Sequence, residues 1–154
     1  MERTVHHTNG VAETEAIGAA LARAMCADTA IPPFVALYGD LGVGKTAFVR
    51  GFASVIAPGI AVRSPTFALV NEYRARPRAL FHFDMYRIES EDDLDSIGFY
   101  DYLDRPGICL VEWSENIPYA LPDRWVRVEI CKCSPDAPDT REITITPMGG
   151  HASV

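Results

Sequence analysis

At 154 residues the chain has room for one domain with a sizeable core and not for two ordinary ones. Apolar residues at 48% and charged residues at 23% are the balance of a soluble globular protein, and no apolar run is long enough to span a membrane. A net charge of −7 argues against a surface whose main task is gripping nucleic-acid phosphates.

The start, MERTVHHTNG, lacks the basic-then-apolar pattern of a secretion signal, so a cytoplasmic protein without membrane attachment is expected. After a short strand there, Asn9 is placed to cap a helix carrying Ile17, Ala20, Leu21, Ala24 and Met25. That is the i, i+3, i+4, i+7, i+8 stripe of a helix with one buried face. Pro32-Pro33 closes the connection, and FVALYGD reads as a continuous apolar strand covered on both faces. A glycine-rich turn leads into a second helix, KTAFVRGFASVIA, stopped by Pro58-Gly59.

FALVNEYR and ALFHFDMYR form an antiparallel hairpin around a turn at residues 75–78. In its second strand Phe81, Phe83 and Met85 share one face, while His82, Asp84 and Tyr86 share the other. RARPR, residues 74–78, is the best candidate for a local basic patch, with a solvated turn as the plainer reading. Ser90 with Asp93 opens another helix, and Glu91, Asp92 and Asp93 suit its positive end. The acidic run ESEDDLD is therefore a helix start rather than a metal site. Gly98 ends that helix, and FYDYLD makes a further short turn.

ICLVEW, residues 108–113, is a second buried strand, ending in a carboxylate and an indole. WVRVEICKC and REITITP alternate as two antiparallel strands. From Met148 a flexible tail is expected, leaving one domain over residues 1–147. Cys26, Cys109, Cys131 and Cys133 contain no C-x-x-C spacing and are expected to be reduced, metal-free thiols. Strand–loop–helix at the front with antiparallel additions behind indicates an α/β three-layer domain, and with the G-x-x-x-x-G-K-T turn of residues 39–46 one of P-loop NTPase type is expected. Its central sheet is mixed and partly parallel, with antiparallel additions.

GDLGVGKT, residues 39–46, matches G-x-x-x-x-G-K-[ST] between an apolar strand and a helix. Glycines let the backbone N–H groups around Leu41, Gly42, Val43 and Gly44 point inward and cradle phosphate oxygens. Lys45 reaches the β- and γ-phosphates, and the Thr46 hydroxyl can ligate magnesium. The chain has no N-K-x-D element for guanine, which favours ATP. Magnesium and water also need a carboxylate at a neighbouring strand tip, where open α/β sheets bind ligands. Asp84 and Glu112 both qualify, and sequence order does not assign their roles. In SPTF a hydroxyl can sense the γ-phosphate, as switch segments do, or the Ser-Pro pair simply turns into a strand. His6, His7 and His151 read as surface residues and His82 as packing. Arg63, Arg74 and Arg87 are equal candidates for a catalytic arginine.

YGDLGVGKTAFVRGF, SPTFALVNEY, HFDMYR and ICLVEW, in that order, resemble the bacterial TsaE (YjeE) family; so do ETEAIG and LPDRW, over about residues 13–127. The resemblance implies a P-loop ATPase required for making threonylcarbamoyladenosine beside the tRNA anticodon. It implies action with the TsaB and TsaD proteins, and contact with tRNA only through that complex. Carried over by position, Lys45 and Thr46 are the phosphate and magnesium residues and Thr66 the switch threonine. Asp84 is a catalytic-site acid, and Glu112 the magnesium-linked acid beside Trp113. Trp113 itself lines the nucleotide site, meets a partner or caps the core. The family's nucleotide pocket also draws on Thr14 and Arg141. Thr140-Arg141 stands where the family often has Gly-Arg, and Val43 replaces a commoner Ala or Ser. Two alternatives use the same loop: a small-molecule kinase with RARPR as a phosphate-clamping lid, and a nucleotide-dependent scaffold with little hydrolysis.

Overall fold

Two strands with no solvent-facing side require a sheet covered by helices on both faces. A computed structural model describes residues 1–40, 42–65 and 67–150; Leu41, Thr66 and residues 151–154, including His151, lie outside them. In chain order the elements are β1 (Thr4–Asn9), α1 (Val11–Ala27), β2 (Phe34–Tyr38), α2 (Lys45–Ile56), β3 (Val70–Tyr73) and β4 (Ala79–Asp84). Then come α3 (Glu91–Ser96), α4 (Phe99–Leu103) and β5 (Gly107–Glu112). Two single 3-10 turns (Ser114–Asn116 and Pro118–Ala120) lead to β6 (Arg124–Ser134) and β7 (Ala137–Gly149).

The strands form one sheet in the order β1-β7-β6-β2-β5-β4-β3. The four central strands, β6, β2, β5 and β4, run parallel. β7 and then β1 extend one side and β3 the other, each antiparallel to the strand it joins. On one face Leu37, Leu80 and Leu110 meet Leu21, Met25, Phe48 and Phe52 of α1 and α2. On the other, Phe34, Phe83 and Val111 meet Leu94 of α3 and Phe99 of α4. This is the expected three-layer α/β domain with a mixed sheet.

Three details differ from the sequence reading. Asn9 does not cap α1: it is the last residue of β1, opposite Thr140, and Gly10 takes the cap with φ 140. The Asn9 N–H instead donates to Glu13 Oε2 at 2.7 Å. The buried face of α1 is Thr14, Gly18, Leu21, Ala22 and Met25, with Ala20 and Ala24 turned outward. The cause is close backbone packing: a Cβ on Gly18 would lie 2.2 Å from the Phe48 carbonyl oxygen, and one on Gly51 1.9 Å from that of Glu15. Third, β7 continues through the expected domain end, pairing Met148 with Trp125 and Gly149 with Arg124.

The RARPR turn joins β3 to the start of β4, at the sheet edge opposite Asp84. β4 runs six residues from Ala79, next to the turn, to Asp84, five steps or about 17 Å at ~3.3 Å per residue. A phosphate-clamping lid over the loop is therefore out of its reach. Arg78 of this turn donates from Nη2 to the Met25 carbonyl at 2.7 Å, satisfying an orphan carbonyl in the last turn of α1.

Gly51→Ala should lower stability by about 1–3 kcal/mol through overpacking, read as a lower urea midpoint at unchanged slope. Cys109 is buried, and burial pushes its thiol up to about 12, whereas Cys26, Cys131 and Cys133 are exposed. A thiol reagent should label those three cysteines in the native protein and Cys109 only after denaturation.

Candidate phosphate-binding and acid site

β2 delivers the chain to a loop that turns into α2. Gly42 and Gly44 have φ of 77° and 111°, values that side chains with a Cβ rarely adopt. Gly44 caps α2 without a side-chain hydrogen bond, and the first helical turn holds no acidic residue. The leading N–H groups and their partial positive charge are thus left for an anion. Thr46 in that turn is exposed, while Lys45 is buried. Lys45 Nζ donates to the Gly39 carbonyl at 2.7 Å and lies 3.9 Å from the centre of the Trp113 ring.

β4 and β5 bring two acids to this loop. They lie in parallel register, Phe83 beside Val111 and Asp84 beside Glu112, so both carboxylates leave the sheet at the same level. Asp84 Oδ1 accepts the Tyr86 N–H at 2.9 Å. Burial pushes the Asp84 carboxyl above its ordinary range; the Tyr86 N–H pulls it back, and the Glu112 charge adds to the rise. Glu112 Oε2 accepts from His82 Nε2 at 2.6 Å. Gly44, Lys45, Thr46, Asp84, Glu112 and Trp113 share one cleft of about 460 Å³.

Trp113 directly follows β5 in a left-handed conformation, φ 58°, uncommon for a non-glycine residue. Its ring lies 5.0 Å from that of Tyr86. Ser114 Oγ donates to the Val111 carbonyl at 2.8 Å, and Asn116 Nδ2 to that of Met85 at 2.8 Å. These bonds anchor the turn beyond β5 to the ends of both acid-bearing strands.

Thr14 and Arg141 meet on the other side of the loop. Arg141 Nε donates to the Val43 carbonyl at 2.7 Å, and the Thr14 hydroxyl bonds that of Thr8 at 3.0 Å. With Gly44 and Asp139 they line a recess of about 70 Å³. Of the candidate arginines, Arg87 stacks on the exposed Phe67 ring at 4.8 Å, Arg63 is exposed, and Arg74 lies at the far edge with the RARPR turn.

Ser64, the serine of SPTF, also lines the cleft, as does Tyr86, which sequence reasoning passed over; it also took His82 for packing. His82 is only 2% exposed, yet it carries the shortest bond to either acid. Its Nδ1 has no partner among the described residues. Glu112 offers a carboxylate oxygen, an acceptor, so Nε2 carries the hydrogen of their bond. The available signal was alternation, which puts His82 on the face of Asp84.

The family model for threonylcarbamoyl adenosine biosynthesis protein TsaE matches residues 8–143. A Bacillus subtilis relative, "tRNA threonylcarbamoyladenosine biosynthesis protein TsaE", is 39% identical over 75% of this chain and 70% of its own. The protein of the same name from Haemophilus influenzae is 42% identical over 62% of this chain and 61% of its own, and that from Treponema pallidum 36% over 72% and 79%. Among solved structures, Bacillus subtilis YdiB superposes with a TM-score of 0.73 at 33% identity, over 97% of this chain and 87% of that one.

The raised Asp84 carboxyl sets a sign for stability. The folded chain holds this proton more tightly than the unfolded chain. Its contribution is therefore full below the ordinary carboxylate range and lost as pH rises through the raised value. Asp84→Asn keeps an oxygen for the Tyr86 N–H and has no charge to bury. Urea unfolding at pH 4 and pH 7 should show the variant gaining on the parent as pH rises.

Proposed function

The chain belongs to the TsaE family, and from that premise we propose that it is a magnesium-dependent ATPase supporting threonylcarbamoyladenosine formation in tRNA by acting on a TsaB–TsaD complex. The observation that carries the reading is a buried cation facing two buried acids across one cleft. Among the described residues Lys45 Nζ meets a carbonyl and a ring rather than a carboxylate at ion-pair distance. A buried ammonium without an anion is costly, and a nucleotide phosphate removes that cost. The uncapped start of α2 adds N–H donors aimed at the same place.

The residues fit the roles. Lys45 holds the β- and γ-phosphates, with the loop N–H groups around them. Thr46 and Glu112 supply hard oxygen donors, the kind magnesium takes together with phosphate oxygens. The bound ion would neutralise phosphate charge during transfer. Asp84 orients the attacking water through its carboxylate. Trp113 borders the phosphates, and Thr14 with Arg141 borders the nucleoside side of the loop. The far-edge position of the RARPR turn disfavours a kinase lid. The acidic surface suits a protein partner better than direct tRNA contact.

ATP hydrolysis should be slow alone and rise when purified TsaB–TsaD is added. Lys45→Ala should weaken ATP binding and turnover together. Glu112→Ala should keep its circular dichroism while losing magnesium-dependent turnover by roughly 10²-fold, the scale of one lost electrostatic stabiliser. If TsaB–TsaD neither binds the chain nor stimulates it, the proposal fails; phosphate transfer to a metabolite would point to the kinase instead.

A further inference from the structure

Glu112 ends its strand on a long side chain with three torsions, which alone would not hold one direction. Its neighbour in β4 supplies the hold. His82 lies between Asn71 of β3 and Leu110 of β5 in the sheet, is 2% exposed, and has little freedom of its own. It stands two residues before Asp84, so one face of β4 sends an acid to the cleft and an imidazole to the acid of the next strand.

We propose that His82 is a positioning residue. Its Nε2–H fixes Glu112 through Oε2 and leaves Oε1 as the atom presented to the cleft. The inference rests on the ATPase reading above and names the part of the protein that aims its acid. Groups that orient a metal-linked carboxylate from behind typically influence metal affinity or activity by ~10–100-fold. A histidine that merely filled space would have no such leverage, and any side chain of similar volume would replace it.

The test compares His82→Leu, which keeps bulk without a donor, with His82→Gln, whose amide nitrogen can reach the place of Nε2. Each is made in the full chain and checked by circular dichroism. Nucleotide affinity is measured in EDTA, Mn²⁺ binding to the ADP complex by electron paramagnetic resonance, and kcat with MgATP. For His82→Leu, affinity in EDTA should be unchanged, while Mn²⁺ affinity and kcat fall by ~10–100-fold. His82→Gln should recover most of both. A folded His82→Leu with parental Mn²⁺ affinity and kcat overturns the proposal, as does equal impairment of the Gln and Leu variants. If His82→Leu does not fold, His82→Asn decides: its shorter amide falls short of Glu112, so parental behaviour overturns the proposal and the Leu-like loss supports it. A parent chain that binds no nucleotide overturns the ATPase reading itself, an outcome distinct from a normal parent beside a normal His82→Leu.

Discussion

The site depends on the register in which β4 and β5 lie side by side. Pairing of Asp84 with Glu112 follows from a ladder of buried residues, Leu80 with Ile108 through Phe83 with Val111, each committed to one face of the sheet. A slip of one residue would turn every one of these side chains to the wrong face, so packing specifies the register strongly. The apolar core thereby sets the distance between two acids that contribute nothing to it. The same pairing brings His82 within reach of Glu112, because His82 and Asp84 share a face. Stability and chemistry are separate here in residues and joined in geometry.

Charge then explains why the cleft is poised rather than satisfied. The loop side offers a lysine ammonium and the uncapped start of a helix. The strand side offers two carboxylates, one of them pushed towards its protonated form by burial. The halves face each other without closing into an ion pair; Lys45 turns instead to a backbone carbonyl and an indole. A cation resting on weak partners gives up little when a stronger anion arrives. Trp113, in its unusual backbone conformation, holds the indole in place for that resting contact.

Much of the fold was legible because its signals are local. FVALY and ICLVE read as buried strands from their unbroken apolar runs, and the loop from its glycines and lysine. The α1 face was misread because the contact is made by what is small: Gly18 and Ala22 are buried so that Gly51 and Phe48 of α2 can approach. A stripe counted from apolar residues passes over glycine and takes Ala20 and Ala24 as readily as Ala22. The partner of His82 was invisible for another reason: Glu112 is thirty residues away, and only the parallel pairing brings them together. The link from Arg141 to Val43 spans nearly a hundred residues and has no sequence signature at all.

That link has a consequence for the order in which the protein is made. β2, which leads into the glycine loop, has one side covered by β5 and the other by β6, and β7 follows β6 to supply Arg141. On the ribosome, a nascent chain that ends before residue 124 holds the loop, the lysine and both acids. Its central strand is nevertheless an open apolar edge, and the Val43 carbonyl has no guanidinium. The glycine loop and both acids thus precede in the chain the two strands that frame them, and the loop's carbonyl partner is among the last of these residues to be made.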